Sequence, residues 1–213
     1  VNTKNKPDIE TSGITARFYD QLIVVFTVGL YHNLLKRIIA ALNIQPGDRV
    51  LDMGAGTGKN ALLMNRYVNG GSITALEIGP EMCRQFSRKC KKYGNIVLER
   101  KRIDKPLAYR DRFDRVFISF VLHGFDHDDR ARILHNAFQC LKPGGKLHIF
   151  DWNSFEIRES GPLMRFFMNH IECEPAINFI KEDLEAILLK TGFHGAENIL
   201  YFKKQIRLLT VMK

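Results

Sequence analysis

Asp52-Met-Gly54-Ala-Gly56-Thr-Gly58 sets three glycines at alternate positions directly behind a carboxylate. Backbone without side chains can approach a ligand closely and adopt turns closed to other residues, so this run is suited to hold a small molecule against main chain. The dinucleotide fingerprint spaces its glycines G-x-G-x-x-G and faces a pyrophosphate with a helix N-terminus, whereas the spacing here is G-x-G-x-G with Asp52 two residues ahead. A fixed negative charge there disfavours a pyrophosphate such as that of NAD and suits a ligand carrying an ammonium or sulfonium group. A second acid, Glu77, follows one strand-helix-strand unit later, where this kind of architecture places an acid on a ribose hydroxyl pair. The plainer reading makes the glycines a tight turn, Asp52 a helix cap and Glu77 a solvated strand end. Each of these holds singly; the combination favours a bound ligand.

For proton transfer the leading residue is His123, just past an apolar run at 117–122, because an imidazole of pKa ~6.5 exchanges protons near neutrality. A histidine packed for structure is the competing reading, and Asp126 and His127 in the same loop are the substitutes. His135 and His148 fall inside a helix and a strand and read as structural. Cysteines 83, 90, 140 and 173 contain no C-x-x-C pair, so neither a metal site nor a disulfide framework is expected; buried thiols in a reducing compartment are.

The elements that position these residues follow from periodicity. Apolar residues at 31, 34, 35, 38, 39 and 42 predict an amphipathic helix over 31–42, ended by Pro46-Gly47. Strands are predicted at 49–53, 72–77, 95–100, 115–120 and 146–151, with helices at 61–68, 80–92, 128–141 and 181–191 between or after them. This alternation implies an α/β, doubly wound, mostly parallel seven-stranded sheet with helices on both faces. Its last two strands, 196–202 and 205–212, nearly abut and should form an antiparallel pair at the sheet edge.

With 213 residues, 45% of them hydrophobic and 26% charged, the chain suits one domain that buries roughly 70% of its unfolded surface. Collagen-like, disordered and disulfide-stapled classes are excluded. The apolar run 22–31 is about half the ~20 residues needed to span a membrane. No secretory h-region is visible at the start of this sequence, which begins with Val and so leaves an upstream segment open, and a cytoplasmic location is expected. The excess of 32 Lys+Arg over 23 Asp+Glu, a net +9, permits attraction to nucleic acid or to an anionic membrane surface.

The glycine run, together with Ala16-Arg-Phe-Tyr-Asp20, Gly47-Asp-Arg-Val-Leu-Asp52, Phe117-Ile-Ser-Phe-Val-Leu-His123 and Leu141-Lys-Pro-Gly-Gly-Lys146, resembles the class I S-adenosylmethionine-dependent methyltransferases. Within them it is similar to the ubiquinone/menaquinone C-methyltransferase branch and its small-molecule relatives. The resemblance implies a Rossmann-like methyltransferase fold with S-adenosyl-L-methionine as cofactor. It implies that Asp52, Gly54, Gly56 and Gly58 lie along the methionine part, that Glu77 takes the ribose hydroxyls, and that Ile78 and Met82 flank the adenine. Asp104 or backbone meets the adenine amino group, since the family's usual Gly-Asp pair is here Lys101-Arg-Ile-Asp104. Ser119 and His123 face sulfonium and substrate, and Tyr19 closes over the cofactor.

Residues 1–45 are expected to form a helical cap, and 46–213 the methyltransferase domain with an apolar insertion at about 152–180, serving as substrate cover or as core. The implied acceptor is small and apolar, a quinone precursor or a lipid-like amine or phenol, with peripheral association at an anionic membrane. An RNA or protein methyltransferase and a non-catalytic cofactor-binding protein are the alternatives. Nucleic acid is disfavoured as a partner because Val-Leu-His-Gly follows the fourth strand where amino-group nucleic-acid methyltransferases carry Asn/Asp-Pro-Pro-aromatic.

Overall fold

The computed structural model describes residues 31–170 and 172–213, so Tyr19 and the apolar run that ends at residue 31 lie outside the described residues or at their margin. Seven strands, β1 (Arg49–Met53), β2 (Ser72–Leu76), β3 (Ile96–Glu99), β4 (Phe113–Ser119), β5 (Leu141–Trp152), β6 (His194–Tyr201) and β7 (Ile206–Met212), form one sheet in the order β3-β2-β1-β4-β5-β7-β6. The first five are parallel to one another, and β7 runs antiparallel to both β5 and β6. Residues 50–53 of β1 are all buried, which a strand achieves only when both faces of its sheet are covered.

The cover comes from α1 (Tyr31–Ala41), α2 (Lys59–Met64), α3 (Pro80–Cys90), α4 (His127–Cys140), α5 (Pro162–His170), α6 (Glu174–Phe179) and α7 (Leu184–Thr191). Helix α1 enters the core through Leu35, Ile38 and Ile39, three of the positions its periodicity marks. Strands β1, β2 and β3 step outward in one direction before the chain returns to lay β4 on the other side of β1. That reversal opens a crevice at the carboxyl edge, between the turn after β1 and the turn after β4.

Where boundaries depart from the periodic reading, a polar contact decides. Helix α4 starts at His127 because the Asp126 carboxylate accepts a hydrogen bond from Asp129 N at 2.8 Å, and α7 starts at Leu184, later than expected, because Asp183 caps Ala186 N. Strand β5 begins at Leu141, well before the expected Lys146, since Leu141 still pairs with Phe113 before a register shift. The β6–β7 turn is tight, with Phe202, Lys203 and Lys204 all at positive φ. Among the cysteines, 83, 90 and 140 are buried as expected, but Cys173 is exposed because it precedes α6 at the surface.

Ile118, fully buried in β4, and Ile199, 46% exposed on the edge strand β6, predict opposite outcomes for one substitution. Ile118→Ala should cost about 2–5 kcal/mol and Ile199→Ala less than about 0.5 kcal/mol, read from urea unfolding midpoints at unchanged slope.

Candidate active site

The three loop glycines all take the left-handed conformation, at φ 80°, 53° and 82° for Gly54, Gly56 and Gly58. Two of them are also hemmed in: a Cβ on Gly54 would sit 2.5 Å from a methyl of Val121, and one on Gly58 would sit 2.8 Å from the Phe86 ring. Gly56 differs, because nothing lies within 4 Å of where its Cβ would be. The loop therefore turns one bare backbone unit toward open space while its flanks are packed, as a ligand cradle requires. Its shape is held by Gly54 N and Ala55 N, which both donate to Leu76 O at the end of β2.

Glu77 closes one side of this cradle. One carboxylate oxygen accepts from Gly56 N at 2.9 Å, and the other from Ile78 N and Gly79 N at 2.8 Å each. The acid is thus fixed beside the open glycine, at the strand end where a ribose diol would find it. Ile78 and Met82 follow at the start of α3, half-buried and buried respectively. Asp104 lies buried after β3, in a turn pinned to α4 by Asn136, which donates to Ile103 O and Lys105 O. Both of its oxygens accept from the Arg102 guanidinium, at 3.0 and 2.9 Å. Burial alone would raise its pKa, but this bond and charge hold it below the ordinary carboxylate value.

Asp52 is fully buried in β1, and neither of its oxygens has a hydrogen-bond partner among the described residues. Burial, with the charge of Glu77 added, pushes its pKa up to about 7. A buried carboxylate left in this state is stabilised by a cation arriving at the glycine loop, which is what the ammonium and sulfonium of S-adenosylmethionine provide. The residues present therefore fit that cofactor: an open backbone unit, an acid fixed at the strand end and a buried acid without a hydrogen-bond partner among the described residues converge on one turn.

Across the crevice, Val121 abuts Gly54, and two residues later comes His123. Its Nδ1 lies 2.6 Å from Asp151 Oδ1. A carboxylate only accepts, so Nδ1 carries the proton and Nε2 is left as the acceptor. The same carboxylate takes Val121 N, Leu122 N and His123 N on its other oxygen, at 3.2, 3.0 and 3.4 Å, and Trp152 N at 2.8 Å. Burial pulls the His123 pKa down, but the charge and hydrogen bond of Asp151 outweigh it and raise the imidazole above its ordinary value.

Asp151 was not among the residues singled out from the sequence, where it reads only as a strand end. The available signal was an acid at the carboxyl end of β5, adjacent to the strand that delivers the histidine. The substitutes for His123 are otherwise engaged: Asp126 caps α4, and His127 pairs with Glu182. Ser119 ends β4, nearly buried, in register with Phe150. His135 is exposed on α4, and buried His148 bonds Thr210 Oγ1 at 2.9 Å, with a pKa pushed by burial down to about 3.

The segment after β5 packs over the dyad. Phe120, itself at φ 52°, sets its ring edge-on to Phe150 and Trp152 at 4.9 and 5.8 Å and stands 6.2 Å from His123. Phe155 and Phe167 continue the wall from Trp152, whose indole N–H reaches Glu172. Buried Arg130 ties wall to loop: it donates to Leu122 O at 3.1 Å, to Pro175 O at 2.7 Å and to Glu182 at 2.7 Å, and lies over the Phe179 ring. This guanidinium was likewise missed, having been read as one more residue of a helix.

The raised pKa of Asp52 has a definite consequence for stability. A carboxyl group that titrates higher folded than unfolded contributes stability below its unfolded value, ~3.9, which is lost as pH rises to about 7. Asp52→Asn should therefore leave the ligand-free protein unchanged near pH 4 and stabilise it by up to about 4 kcal/mol at pH 8, in denaturant unfolding across a pH series. A difference independent of pH would mean that charge on Asp52 is not the cause.

Residues 50–145 match a family described as a methyltransferase domain. The ubiquinone/menaquinone biosynthesis C-methyltransferase UbiE of Bdellovibrio bacteriovorus is 28% identical over 155 residues, 72% of this chain and 65% of that one. The demethylmenaquinone methyltransferase of Tropheryma whipplei is 27% identical over 156 residues, 73% of this chain and 63% of its own length. The chain thus spans a little under two thirds of these relatives. The crystal structure of a SAM-dependent methyltransferase from Aquifex aeolicus superposes with a TM-score of 0.62 at 21% identity, over 84% of this chain and 88% of that one. By sequence, then, the chain is similar to S-adenosylmethionine-dependent methyltransferases and resembles their ubiquinone/menaquinone C-methyltransferase branch, and its fold is like that of the solved methyltransferase.

Proposed function

We propose that the protein transfers a methyl group from S-adenosylmethionine to a small, largely apolar acceptor that loses a proton in the reaction, a quinol-type ring carbon or a phenol. The observation that carries this reading is the His123–Asp151 pair, held at 2.6 Å on the loop that packs against the glycine turn. Bound at that turn, S-adenosylmethionine supplies a methyl carbon activated by sulfonium, so the chain's own task is alignment, water exclusion and removal of one proton. His123 Nε2 takes that proton, while Asp151 fixes the tautomer and stabilises the imidazolium that forms. Phe120, Trp152 and Phe167, mutually tilted rings, supply an apolar wall for an aromatic acceptor. The names of the two bacterial relatives favour a quinone precursor. On this reading residues 152–180 are the substrate cover.

The same reading puts the protein in the cytoplasm, at the anionic membrane face where apolar quinone precursors reside, with its net +9 charge favouring that surface. Among the described residues no helix is long and apolar enough to cross a membrane. Nucleic acid has no part in it.

Titration with S-adenosylmethionine should show binding where NAD gives none, and Glu77→Ala should weaken it by about 1–3 kcal/mol, the magnitude of hydrogen bonds to a charged group. Equal affinity in wild type and variant would remove Glu77 from the site. His123→Ala should lower kcat by about 10²–10⁴-fold with cofactor affinity retained. In the pH profile of kcat/KM, the acid limb should lie above ~6.5, because the imidazole must be neutral to act. Asp151→Asn removes the influence that raises His123 and leaves burial, so this limb should move to lower pH while kcat falls. An unmoved limb would show that His123 is not the base.

A further inference from the structure

Beyond the dyad, a second concavity of about 650 Å³ opens in the cover, between the Ile157–Glu159 turn, α5 and the link from α6 to α7. Its apolar lining comes from Phe155, Ile157 and Ile180, and its rim carries Arg158, Arg165 and Lys181 against a single acid, Glu156. None of the three cations makes a side-chain hydrogen bond or ion pair among the described residues. This contrasts with Arg102, Arg115 and Arg130 elsewhere, each engaged with a carboxylate. Three like charges gathered on one cleft repel each other, and an anion placed among them relieves that repulsion. Two guanidinium forks also match the oxygens of a carboxylate or phosphate.

The cleft also joins the site already described. Phe155 lies 6.2 Å from Trp152 between ring centroids, Trp152 is 5.8 Å from Phe120, and Phe120 is 6.2 Å from His123, so a continuous file of rings leads from cleft to base. We propose that this cleft is a binding site for the anionic end of an amphiphile, a carboxylate or phosphate held by Arg158, Arg165 and Lys181, with its apolar body on Phe155 and Ile180. That the amphiphile is the methyl acceptor or a lipid presenting it rests on the methyl-transfer reading; the preference of the cleft for an anion does not.

The test uses octyl phosphate as probe, octanol as its neutral counterpart, and the triple variant Arg158→Gln, Arg165→Gln, Lys181→Gln. These side chains are exposed, so the fold should hold, and the single variant Arg165→Glu serves if the triple variant does not fold. By calorimetric titration, wild type should bind octyl phosphate at least about tenfold more tightly than octanol, and the triple variant should lose about tenfold or more of that affinity. Affinity for S-adenosylmethionine should be the same in both. Equal binding of octyl phosphate by the two proteins, or no preference over octanol, overturns the proposal.

Sedimentation with phosphatidylglycerol and phosphatidylcholine vesicles identifies the source of the anion. Loss of phosphatidylglycerol binding in the variant assigns it to a lipid headgroup. Unchanged vesicle binding alongside lost octyl phosphate affinity assigns it to a free amphiphile. Absence of S-adenosylmethionine binding in both proteins would overturn the methyl-transfer reading alone and leave the cleft's selectivity standing.

Discussion

A single carboxylate organises the reactive side of this molecule. Asp151, fully buried at the end of β5, accepts from four backbone N–H groups and from the His123 ring. Burying a carboxylate costs several kcal/mol unless donors replace its water, and here five do. The outcome is geometric as much as energetic. The turn after β4 has no strand partner for its amides, and Asp151 supplies the acceptor that folds it into a short helical turn. Because Val121 in that turn also contacts Gly54, the same bond network sets the distance between proton acceptor and glycine cradle. A change at Asp151 therefore disturbs histidine tautomer, loop shape and cradle together.

Asp52 is its counterpart. It too is a buried acid on a central strand, but no described donor reaches it, and burial holds it near pKa 7, where Asp151 is instead saturated. The contrast separates two uses of the same side chain. Asp151 is satisfied by the fold and gives it rigidity, whereas Asp52 has no hydrogen-bond partner among the described residues, which on the proposed reading a cationic ligand would offset. Such an arrangement lowers the stability of the ligand-free protein above the raised pKa and, if the proposed cofactor binds there, would add to its affinity, a trade commonly met at functional sites.

These two acids also mark how much was legible in the sequence. Asp52 was found because its partners are local: three glycines within six residues and a strand pattern before them. Glu77 was found because the strand-helix-strand rhythm is regular enough to place its strand end. Asp151 was not, because 28 residues separate it from His123 and only the parallel β4–β5 register brings them together. Arg130 escaped for the same reason, its partners Pro175 and Glu182 being 45 and 52 residues away. Helices α5 and α6 were seen only as an apolar series, since their residues serve a wall of rings as well as a core. Asp104 was marked for the adenine, and its bidentate bond to Arg102 depends on side-chain directions that no spacing encodes.

The cover and the base are not independent parts. Arg130 bonds Leu122 O in the histidine turn and Pro175 O in the cover with one guanidinium, so neither can shift without straining the other. Two opposed influences act on His123: burial favours the neutral ring and Asp151 favours the charged one, and the second outweighs the first, so the pKa is raised. An apolar acceptor laid against Phe120 and Trp152 would displace water from the imidazole and strengthen the first influence, lowering the pKa. In the methyl-transfer reading proposed above, docking of the acceptor would thus shift His123 toward its neutral, proton-accepting form, so that the wall of rings that binds the acceptor would also tune the base.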